Sequence, residues 1–83
     1  MESELKNMHN IYLIKDLSQL TGLSVYTVKY YLKLGLIKEL GRSYGTNFRY
    51  FDDTTISELK NIRTLRKGGR SIKEIKDILE VSI

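Results

Sequence analysis

The sequence predicts a mostly α fold: four helices and one small β-hairpin that lies between the second and third helices. In four segments, apolar residues recur every three or four positions, which is the spacing of a single buried helical face. Between the second and third segments, two short apolar runs flank a stretch with two glycines, and this is typical of a hairpin. The chain has 83 residues, which is enough for one small domain.

The first two helices are expected over residues 14–20 and from about residue 25 to residue 34. Gly22 is suited to end the first helix, because glycine adopts the left-handed conformation of a helix C-terminus without steric cost. Ser24 is a typical N-cap for the second helix, and Gly35 follows its end. Two short amphipathic helices joined by such a turn have the layout of a helix-turn-helix.

The second predicted helix has two distinct faces. Val25, Val28 and Leu32 share one face and are expected to point into the core, as is Tyr31 beside them. A face turned by about 100° carries phenolic and cationic side chains. Because the second helix of a helix-turn-helix enters the major groove of DNA, this face is a candidate DNA-binding surface. The alternative is that this face is an ordinary solvated surface. The residues of the face are Tyr26, Lys29, Tyr30 and Lys33.

The predicted hairpin pairs a strand at residues 36–40 with a strand at residues 48–51. Arg42 and Arg49 lie within it. Arg49 is a candidate for insertion at a narrow minor groove, where the negative potential is enhanced. The alternative is a hairpin arginine that neutralises Asp52 or Asp53.

Two further helices are predicted over residues 53–67 and from Ser71 to about residue 79. Glycines at 68 and 69 separate them. Ser71 and Glu74 form an S-x-x-E capping box at the start of the last helix.

The positive charge is concentrated in two blocks. The chain has a formal net charge of +4 and a pI near 9.4. Residues 24–51 hold five basic residues and one acid, and residues 60–70 hold five basic residues and no acid. Such clustering is what a polyanion-binding surface requires. The second block supplies four candidate contacts to the DNA backbone: Arg63, Arg66, Lys67 and Arg70. The alternative is that these residues form a solvated flank of the helix.

The composition argues against several other classes. The chain has no cysteine and a single histidine, His9, so no metal site is expected. It contains no glycine-rich phosphate loop and no nucleophile beside a base, so neither enzyme activity nor a cofactor is expected. No apolar run approaches the roughly 18 residues of a membrane span. Residues 1–11 lack periodicity and are expected to be a disordered or frayed tail before a domain at 12–80.

Five short motifs in order resemble the N-terminal DNA-binding domain of the MerR family. The resemblance covers nearly the whole chain, from residue 12 to residue 79, and the matching order and spacing of the motifs make it specific. The motifs are LTGLS at 20–24, TVKYY at 27–31, GLI at 35–37, FRYF at 48–51 and GRSIKEI at 69–75.

The resemblance implies a winged helix-turn-helix in a bacterial, cytoplasmic and nucleoid-associated regulator of transcription. Double-stranded DNA is the implied partner, with the second helix in the major groove and the wing on the adjacent backbone or minor groove. Arg49 falls at the wing arginine of the family, with Tyr50 beside it. Arg63, Arg66 and Lys67 fall near the family's second wing. The positions that match DNA contacts of the second helix are Ser24, Tyr26, Thr27, Lys29 and Tyr30.

The chain departs from the family pattern in several places. Lys29 stands where arginine is usual, which favours a phosphate contact over a bidentate contact to guanine. No proline follows residues 35–37, and Gly68 and Arg70 occupy positions that are usually apolar. Family regulators continue into a dimerising helix and an effector-binding domain, whereas this chain ends at Ile83. No small-molecule effector is therefore expected to bind these residues.

Alternative functions remain open from the sequence. An excisionase-type architectural factor uses a similar small winged fold to bend DNA. An antirepressor-like module would use the tyrosine face to bind another protein. Self-association could take the form of a two-fold dimer or a head-to-tail array on repeats.

Overall fold

The structure, a computed structural model, describes residues 10–81 of the chain. The mostly α fold with one hairpin is confirmed. Residues 1–9, which include His9 and most of the predicted tail, lie outside the described residues. None of the helices within 10–81 combines the length and apolar character that a bilayer span requires. The elements are α1 (Ile14–Thr21), α2 (Val25–Leu34), β1 (Gly41–Arg42), β2 (Arg49–Tyr50), α3 (Asp53–Lys67) and α4 (Ile72–Val81).

The turn between α1 and α2 is built from the caps that the sequence predicts. Gly22 has a φ of 79°, and its N–H donates to the carbonyl of Ser18 at 2.9 Å, which ends α1. Ser24 accepts a hydrogen bond from the N–H of Thr27 at 3.0 Å and so caps α2. Gly35, with a φ of 82°, ends α2. The two short helices are therefore bounded by local chemistry.

A long-range contact ties this turn to α3. The Nη1 atom of Arg63 donates to the carbonyl of Thr21, the last residue of α1. The guanidinium lies beside Gly22, where a Cβ would come within 2.6 Å of Nη1. The carbonyl end of a helix carries partial negative charge, so a cation is favourable there. Arg63 thus stabilises the position of the helix-turn-helix on α3.

We expect Gly22→Ala to destabilise the protein more than Gly35→Ala. Both changes place a Cβ at a left-handed φ, at a cost of about 1–2 kcal/mol, but no atom lies within 4 Å of the Cβ position at Gly35. At Gly22 the methyl group must also displace the guanidinium of Arg63 and break its hydrogen bond, which adds about 1 kcal/mol. Urea unfolding followed by circular dichroism measures both losses. Equal losses, or an excess that persists in an Arg63→Ala background, would contradict this contact.

One hydrophobic core joins all four helices and the linkers between them. Phe51, directly after β2, is completely buried and is the largest of the fully buried side chains in the described part of the chain. Tyr31 is buried with Val28 on the inner face of α2, as predicted. Fixing the inner face of α2 also fixes which residues its outer face presents. The core consists of Leu17, Val28, Tyr31, Leu36, Ile37, Phe51, Leu59, Ile62 and Ile75.

One residue expected to point into the core is exposed instead. Val25 is 38% exposed. It lies in the first turn of α2, where helical periodicity alone overestimates burial because the packed partner covers mainly the middle turns.

The predicted first strand of the hairpin was wrong in position. Residues 36–40 do not form a strand; Leu36 and Ile37 are buried as a linker in the core. The strand is β1, and its Gly41 pairs with Tyr50 of β2. A Cβ on Gly41 would lie 2.7 Å from the Tyr50 hydroxyl, so glycine lets this ring close over the strand. A short run of apolar residues predicts a strand, but here Leu36 and Ile37 are buried because the linker crosses the core.

The N-terminal segment extends the hairpin on its other side. The backbone of Tyr12 exchanges two hydrogen bonds of 2.8 Å with Phe51, forming an isolated antiparallel bridge. The Tyr12 hydroxyl donates to the Asp53 carboxylate at 2.7 Å, and this bond to an anion raises the pKa of Tyr12. These contacts fix the chain entering α1 against the start of α3.

The last two helices begin at side-chain caps. Asp52 accepts a hydrogen bond from the N–H of Thr54 at 3.0 Å at the start of α3. At the start of α4, the Ser71 N–H donates to Glu74 at 2.9 Å, and the Glu74 N–H donates to the Ser71 hydroxyl at 3.1 Å. This confirms the predicted capping box. The backbone hydrogen bond from Ser71 is the main reason that the pKa of Glu74 lies below its ordinary value.

Candidate nucleic-acid interface

The outer face of α2 carries the predicted phenolic and cationic side chains. Tyr26 is 79% exposed and Tyr30 is 43% exposed, and Lys29 and Lys33 are exposed with them. Tyr31, the next residue after Tyr30, is buried, so the division between inner and outer faces matches the prediction. An exposed face of two tyrosines and two lysines can offer rings to sugars and bases and charges to phosphates.

The hydroxyl residues at the start of α2 cap the helix. The Ser24 hydroxyl accepts from the N–H of Thr27 and donates to the Thr27 hydroxyl at 2.9 Å. Ser24 is exposed and Thr27 is half-buried, so both lie at the rim of the outer face. Their hydrogen bonds hold the N-terminal turn of α2.

A groove lies between the outer face of α2 and the hairpin. Its volume is about 790 Å³. Lys29 and Lys33 come from α2, Lys38 comes from the linker, and Arg42 and Arg49 come from the two strands. Residues 20 positions apart in the chain thus meet along one surface. The basic residues that are close together in the first block of the sequence are therefore also close together in space, along this groove.

Glu39 is the acid in this groove and pairs with both arginines of the hairpin. Its Oε2 accepts a hydrogen bond from Arg42 Nε at 2.8 Å, and its Oε1 forms an ion pair with Arg49 Nε at 2.8 Å. The hydrogen bond from Arg42 and the two positive charges hold the pKa of Glu39 below its ordinary value. The alternative that paired Arg49 with Asp52 or Asp53 was wrong: Asp52 caps α3 and Asp53 accepts from Tyr12. The sequence signal for Glu39 was its position as the single acid within residues 24–51.

Aromatic side chains on the hairpin divide between structural and exposed positions. Tyr50 is half-buried, and its ring lies against Gly41, so it supports the hairpin. Tyr44, in the turn between the strands, is fully exposed, and Phe48 is also exposed. Sequence reasoning missed these two residues; an aromatic side chain within a turn that carries Gly45 was the available signal.

The second basic block lies apart from the groove, since none of its residues lines it. Arg63 is bonded to the carbonyl of Thr21, and Arg66 donates from Nη1 to the carbonyl of Arg70 at 3.0 Å. Lys67, the last residue of α3, and Arg70, in the turn from α3 to α4, are both exposed. Part of this positive charge therefore stabilises helix ends, which sequence spacing did not indicate.

No potential metal site of three or more histidine, cysteine or acidic residues occurs within residues 10–81.

Comparison with known proteins identifies the fold. Residues 12–81 match the MerR HTH family of regulatory proteins. The chain belongs to the MerR HTH family. The resemblance inferred from its five sequence motifs is thus confirmed.

Among its relatives in the MerR family is the HTH-type transcriptional regulator CueR of Bacillus subtilis. It is 38% identical over 69 residues, which cover 83% of this chain and 47% of CueR. An uncharacterised HTH-type transcriptional regulator of Haemophilus influenzae is 38% identical over 63 residues, 75% of this chain and 45% of that protein. The chain thus spans about half the length of these curated relatives.

Solved structures of MerR proteins have the same architecture. HiNmlR, a MerR family regulator that lacks the sensor domain and is bound to promoter DNA, superposes with a TM-score of 0.79 at 30% identity. The match covers 88% of this chain and 55% of HiNmlR. A MerR family regulator from Bacillus cereus gives a TM-score of 0.77 at 24% identity, with coverage of 84% and 52%. The four helices and the antiparallel hairpin therefore form a MerR winged helix-turn-helix.

Proposed function

We propose that the chain is the DNA-binding part of a sequence-specific transcription regulator that recognises double-stranded DNA. The observation that carries this proposal is the groove in which the cations of α2 and of the hairpin wing meet on one surface. The family and the promoter-bound state of the related HiNmlR support it. DNA is a polyanion, and a positive surface shaped as a helix beside a wing matches the alternation of groove and phosphate backbone.

In this proposal α2 is the recognition helix and enters the major groove. Tyr26, in the first turn and largely exposed, is placed for base edges and sugars. Lys29 and Lys33 bind phosphates as point charges, because an ammonium lacks the fork with which arginine binds guanine. Ser24 and Thr27 orient the helix start that they cap. Affinity then comes mainly from phosphates, and sequence choice from a few contacts near the N-terminus of α2.

The wing binds next to α2 on the same duplex. Arg42 and Arg49 face the groove from β1 and β2 and reach the adjacent backbone or minor groove. Lys67 at the end of α3 and Arg70 after it are exposed and supply a further backbone contact. Arg63, which holds the end of α1, contributes to the shape of the interface more than to its charge.

Two copies bound to neighbouring half-sites would provide the specificity that one small domain lacks. A single module of this kind has a small footprint on DNA, so its specific affinity is modest. Coupling two modules raises the effective concentration of the second on the DNA. As a MerR regulator, the protein would act in the bacterial cytoplasm, where the chromosome is located.

Selection from a randomised duplex pool, followed by fluorescence anisotropy over a series of salt concentrations, tests the proposal. We expect an enriched duplex whose association constant falls with salt at a log–log slope of roughly −4, because each neutralised phosphate contributes about 0.9. A scrambled duplex should bind more weakly with a similar slope. Failure to enrich any duplex, or binding independent of salt, would contradict the proposal and favour a module that binds protein.

A further inference from the structure

The two wing arginines directly face each other across the hairpin. Arg42 of β1 and Arg49 of β2 are partners in the antiparallel register. Like charges directly opposite on neighbouring strands are destabilising. This ladder is only two residues long on each strand, so few backbone pairs oppose the repulsion. An arrangement that suits an anion is thus unfavourable in its absence.

Glu39 supplies that anion from within the chain. Its Oε2 accepts the Nε–H of Arg42 at 2.8 Å and its Oε1 forms an ion pair with Arg49 Nε at 2.8 Å, so one carboxylate neutralises both arginines. Arginine binds carboxylate and phosphate in the same geometry, through N–H groups directed at two oxygens of one anion. Glu39 therefore occupies the position, relative to the arginines, that a DNA phosphate would take.

We propose that Glu39 is an intramolecular competitor of the DNA phosphate, which holds Arg42 and Arg49 in the unbound protein and yields them to one backbone phosphate on binding. This inference rests on the proposed DNA-binding function. Glu39 lies two residues before the start of β1, so it stays beside the groove after the arginines leave it. Its negative charge then repels the phosphate that replaced it. Glu39 thus keeps the wing folded while it lowers the affinity for DNA.

The arginines are released when another anion displaces Glu39, and not when mild acid protonates Glu39. The neighbouring guanidinium groups keep the pKa of Glu39 below its ordinary value, so its carboxylate remains ionised at the pH values where DNA binding is measured. Lys29, Lys33 and Lys38 line the same groove and favour this ionised state. The anion must therefore be displaced by another anion.

The effect of Glu39→Gln on duplex affinity tests the proposal. Glutamine keeps the shape of the side chain and removes the charge. Against a mixed-sequence duplex at low salt, we expect about fivefold tighter binding and a log–log salt slope steeper by about 0.9, the contribution of one phosphate. Asp77→Asn is the matched control, because it removes one exposed negative charge from α4, outside the lining of the groove. Unchanged or weaker binding by Glu39→Gln would overturn the proposal.

A double-variant comparison shows whether the effect depends on the arginines. In a background with both Arg42→Ala and Arg49→Ala, Glu39 has no guanidinium to hold, and Glu39→Gln should change the affinity by less than twofold. The Arg49→Ala change alone should weaken binding to all duplexes while leaving the preferred sequence the same. A fivefold gain that persists without either arginine would mean that Glu39 acts only through its general charge, and would overturn the competition.

Arginine side-chain NMR distinguishes this proposal from the function on which it rests. The Nε–H resonances of Arg42 and Arg49 should move on Glu39→Gln in the unbound protein, and should move in the wild-type protein when duplex is added. If the wild-type protein bound duplex with steep salt dependence while these resonances stayed the same, the competition would be wrong and DNA binding would stand. If no duplex bound, the proposed function itself would fail.

Discussion

Replacing Phe51 with alanine should lower the free energy of unfolding by about 3–5 kcal/mol. The side chain is completely buried, and its backbone forms the bridge to Tyr12, so the segment cannot move to fill the space. A domain of this length has a total stability of only about 4–12 kcal/mol. The variant is therefore expected to lose a large fraction of the stability of the protein.

Thermal and urea denaturation followed by circular dichroism measure this effect. Tyr44→Ala is the matched control, because it also removes an aromatic ring near the wing but from a fully exposed position. Its effect should stay within about 0.5 kcal/mol. A loss below about 1 kcal/mol for Phe51→Ala would show that the ring is not part of the core.

On the outer face of α2, Lys29→Ala should weaken duplex binding about five- to tenfold and reduce the magnitude of the salt slope by about 1, as expected for the loss of one phosphate contact. Tyr30→Ala should weaken binding by a similar factor and leave the slope unchanged, because a phenol carries no charge. Both side chains are exposed, so neither change should unfold the domain.

Control variants distinguish the loss of a DNA contact from the loss of the folded state. Lys73→Ala removes an exposed lysine from α4 and should leave the affinity within twofold. Tyr30 also lies near Tyr31, with ring centroids 6.1 Å apart, so Tyr30→Phe retains the ring and removes only the hydroxyl. If Lys29→Ala and Tyr30→Ala both bound duplex as tightly as the wild type, α2 would not be the recognition helix.

These two experiments depend on different levels of structure. The outward position of Lys29 follows from helical periodicity and the caps at Ser24 and Gly35, which are local signals. The inward position of Phe51 depends on its bridge to Tyr12, a residue far away in the chain. Local rules could therefore predict the face of α2 but not the centre of the core.

The hairpin shows where sequence reasoning is least reliable. The apolar run that contains Leu36 and Ile37 predicts a strand, yet both residues lie in a linker buried in the core and the strand begins at Gly41. Strand pairing is set by contacts between distant segments, here by the ring of Tyr50 over Gly41. A short strand with few pairs leaves little pattern to recognise.

The amino-acid sequence by itself determined the four helices, their caps and the identity of the family. The helices and caps depend on residues within a few positions of one another: Gly22 after α1, Ser24 before α2, and the Ser71–Glu74 pair before α4. The family depends on five short motifs in matching order and spacing. Only the tertiary structure decided the partners of Arg49 and Arg63. Glu39 meets Arg49 across the hairpin and Arg63 meets the end of α1, because ion pairs depend on distances that folding sets between remote parts of the chain.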